Sequence, residues 1–206
     1  MTKFPSYRVV RVIHPILRQH EREWEFIVRE VEVKIIEIDR GKVEGKLRSL
    51  GATKILDEDV DTCFFDFPDN SISKAQNLLR LRRIGSKVAL TFKKFVESDS
   101  QAKVRVEYEV SVSDFDATNS ILQSLGLSLT LRMKKHRTSY AMRDGVGVDI
   151  DKYTGQYSHI PILLEIEGPD LPTIQTDTKL LGFDPKQCKS WTTFDLIDYY
   201  SRKRIR

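Results

Sequence analysis

Stretch after stretch of this chain alternates apolar and charged residues with a period of two. That is the period of a β-strand, whose successive side chains point to opposite faces of a sheet. In REVEVKI, Val31, Val33 and Ile35 fall on one face and Glu30, Glu32 and Lys34 on the other. LLRLRRI sets Arg80 and Arg82 opposite Leu79 and Leu81. KVALTFKKF sets Lys87, Thr91 and Lys93 opposite Val88, Leu90 and Phe92. KVRVEYEVSV sets Lys103, Arg105, Glu107 and Glu109 opposite Val104, Val106, Tyr108 and Val110. Lys135, Arg137 and Ser139 share a face of MKKHRTSYAM, Asp149 and Asp151 a face of GVDIDKY, and Glu165 and Glu167 a face of PILLEIEG. The chain must therefore build a sheet whose strands each meet one apolar and one charged environment.

A sheet packed on one side, with its charges in water, explains any one such strand. It explains the set less well, because like charges come together: the acids as 30/32, 107/109, 149/151 and 165/167, the bases as Arg80/Arg82 and Lys135/Arg137. Neighbouring like charges repel, and solvated surfaces intersperse signs. Helical segments also fall between the strands. DRGKVEGKLRSLGA has Asp39 as N-cap and Gly51 as stop, and FDATNSILQSLGL closes near Gly126. Residues 173–182 close at Gly182, and Ser190 to Arg202 form a terminal helix. These helices need an apolar face to cover. If they cover the outside of a closed sheet, the charged faces point inward. TCFFDF (62–67) adds a strand, and Gly85-Ser86 and Arg143-Asp144-Gly145 read as tight turns of antiparallel hairpins. The expected class is α+β: an antiparallel barrel of about eight strands, helices outside, with room for one small ligand.

Composition excludes several alternatives. Hydrophobic residues make up 40% of the chain, enough for a sizeable core. No run approaches a membrane span, and the N-terminus lacks the apolar core of a signal peptide. Cys63 and Cys188 stand too far apart for a metal-type pair. A soluble, cytoplasmic protein with no membrane partner is expected. The net charge of +4 resides in the SRKRIR tail, with Arg202, Lys203, Arg204 and Arg206. That tail reads as a solvated charge run, with no nucleic-acid partner. Residues 1–28 differ in kind from the rest and are expected to form an extension ahead of a main domain at 29–206. Exposed strand edges would favour a homodimer. His14, His20 and His159 have no partner at metal spacing. His136 and Tyr140 fall opposite Arg137 and should pack outside, and Trp24 and Trp191 should pack rather than bind a base.

An inward charged face implies a ligand. Clustered carboxylates raise each other's pKa unless a cation neutralises them, and a hard divalent ion, Mg²⁺ or Mn²⁺, suits their oxygens. Clustered Arg and Lys need anions, and the arginine fork fits phosphate oxygens. A metal-bound polyphosphate meets both needs. The chain has no Gly-rich phosphate loop, so side chains must hold the phosphates.

The motifs resemble one family. Glu30-Val-Glu32-Val-Lys34 is similar to the ExExK signature of CYTH proteins, also called triphosphate tunnel metalloenzymes. Leu-Arg80-Leu-Arg82, Thr-Phe-Lys93, Glu107-Tyr-Glu109, Lys135-His-Arg137, Asp149 and Leu-Glu165-Ile-Glu167-Gly follow in the family's order, covering about residues 29 to 200. The resemblance implies an eight-stranded antiparallel barrel enclosing a polar tunnel, and action on triphosphates with a divalent metal. By position it implies Glu30, Glu32, Glu107, Glu109, Glu165 and Glu167 as metal ligands, with Asp149 binding metal or positioning water. Lys34, Arg80, Arg82, Lys93, Lys135 and Arg137 would grip phosphates, and Lys189 matches a late phosphate-binding lysine. Lys34, Arg80, Arg82 and Asp149 form the expected catalytic set. Two departures stand out: the signature begins only at residue 30, and phenylalanines 64 and 65 stand where the family commonly has a tyrosine. The expected activity is metal-dependent triphosphate hydrolysis. The alternatives are a class IV adenylyl cyclase making cyclic AMP from ATP, and a non-catalytic polyphosphate-binding module that would lack the metal acids.

Overall fold

The alternating segments all form strands: β1 (Ile27–Ile35), β3 (Leu78–Ile84), β4 (Lys87–Ser98), β5 (Lys103–Val112), β6 (Ser128–Ala141), β7 (Gly147–Thr154) and β8 (Leu163–Gly168). They are seen in a computed structural model that describes residues 27–98 and 103–205. The expected extension at 1–28 lies almost wholly outside these residues, as do His14, His20, Trp24 and Arg206. β2 (Thr53–Asp66) begins well before TCFFDF, because KILDEDVD pairs along β6 despite its acids. The helices are α1 (Arg40–Ser49), α2 (Ser71–Lys74), α3 (Phe115–Ser124), α4 (Leu171–Leu180) and α5 (Thr193–Ile205). Aspartates start three of them. The side chains of Asp39, Asp114 and Asp170 accept hydrogen bonds from the backbone N–H of Lys42, Ala117 and Thr173 at 3.0, 2.7 and 2.8 Å. Gly51, Gly126 and Gly182 follow α1, α3 and α4 with φ of 73°, 93° and 92°, the left-handed geometry that ends a helix.

The strands close an antiparallel barrel in the order β1-β5-β4-β3-β2-β6-β7-β8. β1 closes it by dividing its length. Residues 27–30 pair with β5, and residues 31–35 pair with β8. Where β5 has left, Lys34 and Lys189 exchange both backbone hydrogen bonds, at 2.8 and 2.9 Å. The segment before α5 thus fills the gap.

Apolar residues pack in three places. Val31, Val33, Val148, Ile150, Leu164 and Ile166 face outward and are covered by Val43 and Leu47 of α1 and Ile174 of α4. Cys63, Phe65, Leu81 and Val88 face outward under Phe115 and Leu122 of α3. Leu81, Leu164, Ile166 and Ile174 are fully enclosed, each contributing about 1.5–3 kcal/mol by transfer from water. The third cluster lies inside the barrel at one end. Phe64, Met133, Tyr153 and Leu163 point inward there and meet Leu196 and Tyr200 of α5. α5 therefore plugs that end. No helix among the described residues is long and apolar enough to cross a membrane.

Candidate functional site

Register carries the charged faces into one interior, because residues directly opposite across a ladder share a face. Lys34 lies opposite Glu165, and Glu32 opposite Glu167. Glu165 lies opposite Asp149, and Asp151 opposite Arg137. Arg137 lies opposite Glu58 on β2. Thr62 leads to Arg82 and Phe64 to Arg80, Arg80 to Thr91, and Leu78 to Lys93. Thr91 and Lys93 lie opposite Glu109 and Glu107, completing the circuit. The apolar residues of the same strands form the outer core described above, so the charged side is the inside.

One wall, from β1, β6, β7 and β8, is a buried ion network. Lys34 Nζ reaches Glu165 Oε1 at 3.3 Å and also bonds Glu32. Arg137 donates from Nε to Asp151 Oδ1 at 2.7 Å and from Nη2 to Oδ2 at 2.6 Å, a bidentate clasp. It also bonds Asp149 and Glu165. Lys135 bonds Asp151, and its Nζ lies 3.9 Å from Glu165 Oε1. Burial alone would raise the Glu165 carboxyl, but Lys135, Arg137 and Lys34 outweigh it and hold it well below the usual carboxylate range. Burial and then Arg137 push the Lys135 ammonium down. Burial, against the pull of Arg137, raises Asp149, with Asp151 and Glu165 adding to the rise.

The facing wall, from β3, β4 and β5, is looser and more cationic. Arg80 Nη2 lies 3.6 Å and Lys93 Nζ 3.4 Å from the two oxygens of Glu107. Thr91 Oγ1 donates to Glu109 Oε2 at 2.9 Å. The Nε atoms of Arg80 and Arg82 are buried and have no hydrogen-bond partner among the described residues. Burial, followed by repulsion from Arg80 and Arg137, lowers the Arg82 guanidinium to about 9. Buried donors ordinarily find an acceptor, so these two Nε atoms set this wall apart from the paired one.

The interior is graded along its axis. The plug is apolar. Next to it lie Lys34, Lys93, Lys135, Asp151 and Glu165, all buried. Glu109 and Glu167 are exposed, and the Glu32 side chain is 37% exposed, so the carboxylates gather toward the open mouth. Among the described residues no three acidic, histidine or cysteine side chains converge at metal spacing. The acids lie along the walls, and those beside the cations are bonded to them.

Of the residues singled out from sequence, Glu32, Lys34, Arg80, Arg82, Lys93, Glu107, Glu109, Lys135, Arg137, Asp149, Glu165 and Glu167 lie on this inner surface. The Glu30 side chain lies outside the described residues. Lys189 comes to the same face through its bridge to Lys34, but its ammonium sits 4.8 Å from the centre of the Trp191 ring. His136 lies outside the barrel between Asp59 and Asp57, at 2.9 and 3.0 Å. Phe64 packs edge-on to Phe194 in the plug, with centroids 5.2 Å apart. Two inward acids were not assigned to the site. Asp151 is fully buried and binds both cations of β6; its alternation with Asp149 was the available signal. Glu58 was hidden in the acidic run of β2, and only the ladder to Arg137 shows its face.

The family model of the CYTH domain matches residues 28–181. A protein of Methanocaldococcus jannaschii, provisionally named an adenylate cyclase, is 28% identical over 138 residues, 67% of this chain and 75% of that one. The fold is that of a conserved hypothetical protein of Pyrococcus furiosus, with a TM-score of 0.66 and 22% identity over 82% of this chain and 99% of that one. It is also that of a Hippeastrum protein described as a candidate adenylyl cyclase with a dominant triphosphatase activity, with a TM-score of 0.63 and 12% identity over 84% and 96% of the two chains. With the family model spanning every strand of the barrel, the chain belongs to the CYTH domain family.

Proposed function

We propose that this chain hydrolyses a triphosphate inside its barrel with the help of Mg²⁺ or Mn²⁺. The observation that carries the reading is the pair of buried arginines, Arg80 and Arg82, whose Nε donors have no acceptor among the described residues. A polyphosphate chain supplies acceptors along its whole length. Arg80, Arg82 and Lys93 would meet it from one wall, and Lys34, Lys135 and Arg137 from the other. Cations on both sides of the transferred group stabilise charge spreading over its oxygens, which is the main catalytic demand of phosphoryl transfer.

The carboxylates fit a hard divalent ion by donor chemistry, since all are oxygen ligands. Glu32 and Glu167 lie opposite one another on neighbouring strands, and Glu109 stands on the facing wall. These three, with Glu30, Glu107, Asp149 and Glu165, are the oxygen donors that would hold the ion, and the ion would supply neutralisation of the substrate's phosphate charge. Asp149, whose raised carboxyl is fixed by Arg137, would orient the attacking water and accept its proton. With one end plugged by α5, substrate would enter at the carboxylate-lined mouth.

A second reading, cyclisation of ATP, is favoured by the name of the Methanocaldococcus relative. One assay separates the readings. The purified protein is incubated with Mg²⁺ or Mn²⁺ and tripolyphosphate, ATP or thiamine triphosphate. Orthophosphate release supports hydrolysis, and cyclic AMP with pyrophosphate supports the cyclase. Binding without turnover leaves a polyphosphate-binding module and sinks both.

A further inference from the structure

We propose that Trp191 holds the Lys189 ammonium beside the site and yields it to the phosphate chain when substrate enters. The inference rests on the triphosphate reading above and adds a moving part to it. The Lys189 backbone is fixed: both of its hydrogen bonds to Lys34 are made, at 2.8 and 2.9 Å. Opposed residues of an antiparallel ladder share a face, so the Lys189 side chain starts on the inner face beside Lys34. Lys34 itself is committed to Glu32 and Glu165. Lys189 has no ion pair among the described residues; its ammonium lies over the Trp191 indole, 4.8 Å from the ring centre.

The indole is firmly held. Trp191 packs on the plug cluster and against Tyr199, with ring centroids 4.9 Å apart. The lysine is mobile only through its four-carbon stem. A cation–π contact is weak beside a charge-assisted bond to phosphate. A polyanion arriving next to Lys34 would therefore draw the ammonium off the ring without any backbone movement. Trp191 is a positioning residue in this scheme. It keeps a cation near the site while leaving it unpaired with carboxylate, so that no salt bridge has to be broken when substrate binds.

The departure of an ammonium from an indole is visible in fluorescence. Trp24 and Trp191 are the two tryptophans of the chain, so Trp24→Phe leaves Trp191 as sole reporter. Inorganic tripolyphosphate is titrated in EDTA, so that nothing turns over, and binding is followed in parallel by calorimetry. The expected result is a saturable change in Trp191 emission with the calorimetric Kd. Lys189→Met should abolish that change and weaken binding by about tenfold, the loss of one charge-assisted contact. Lys189→Arg keeps the cation and should keep the emission response, which guards against a folding defect in the methionine variant. Binding with silent emission, or an emission change that survives in Lys189→Met, overturns the proposal while leaving the triphosphate reading intact. Absence of calorimetric binding overturns the proposal, whereas the triphosphate reading falls only if the metal-containing assay above shows no turnover.

Discussion

Removing the charge of Asp151 should expose how the ion network is built. Its side chain is fully buried and accepts from Arg137 at 2.7 and 2.6 Å and from Lys135. Asp151→Asn keeps the shape and one acceptor but leaves two buried cations with less counter-charge. Breaking a buried pair costs about 3–5 kcal/mol. Glu165 still bonds Arg137 and lies 3.9 Å from Lys135, which places the expected cost near the lower end, about 3 kcal/mol. With a urea m-value of about 2 kcal/mol/M, the midpoint should fall by about 1.5 M. Asp149→Asn is the internal control. Its side chain is 24% exposed and bonds one cation, Arg137, so its cost should stay near 1 kcal/mol. Equilibrium urea denaturation of the two variants, read by circular dichroism, gives both numbers. An Asp151→Asn loss under about 1 kcal/mol, or a larger loss for Asp149→Asn, would refute the view that Asp151 anchors the cations of β6.

Glu32→Gln should lower turnover at least about a hundredfold while shifting the urea midpoint little, because its side chain is 37% exposed; unchanged turnover would place this strand face outside the chemistry. Phe64→Ala should cost about 3–5 kcal/mol in the same unfolding assay, since Phe64 is buried against Met133, Tyr153 and Leu196 in the plug. His136 is held above its ordinary value by hydrogen bonds to Asp59 and then Asp57, with burial opposing. Its stabilisation is complete below the unfolded pKa of about 6.5 and is lost as pH rises through the raised folded value. The stability gap between wild type and His136→Gln should therefore narrow as pH rises above about 6.5, and a widening gap would reverse the assignment.

The inward set was legible because strand period and charge coincide. Once REVEVKI, LLRLRRI and KVRVEYEVSV are strands, a single decision about which face is inside places Lys34, Arg80 and Glu107 together. The structure bears that decision out: helices α1, α3 and α4 cover the apolar faces. The cap Asp39 and the stops Gly51, Gly126 and Gly182 are local chemistry, and they sit at the ends of their helices; the caps Asp114 and Asp170 act the same way but only the structure shows them. What stayed hidden depends on distant partners. KILDEDVD carries too many acids to alternate visibly, so half of β2 and the inward Glu58 went unseen. Asp149 and Asp151 are equivalent in the sequence; only the barrel's depth makes one a half-open carboxylate and the other a buried anchor. The plug needs α5 to return across the barrel end, which no local pattern encodes.

Arg82 offers the most direct test of whether the barrel interior is a polyanion site. Its guanidinium is buried, lowered to about 9 by that burial and then by repulsion from Arg80 and Arg137, and its Nε has no partner among the described residues. Arg82→Met removes a buried charge whose desolvation and repulsion from Arg80 and Arg137 outweigh its attraction to Glu165 and Asp151, so thermal stability should hold or rise. The kcat/KM for metal-dependent tripolyphosphate hydrolysis should fall by at least about a hundredfold. A variant that loses stability while keeping its kcat/KM would mean that Arg82 is structural and that the charged faces do not bind the substrate.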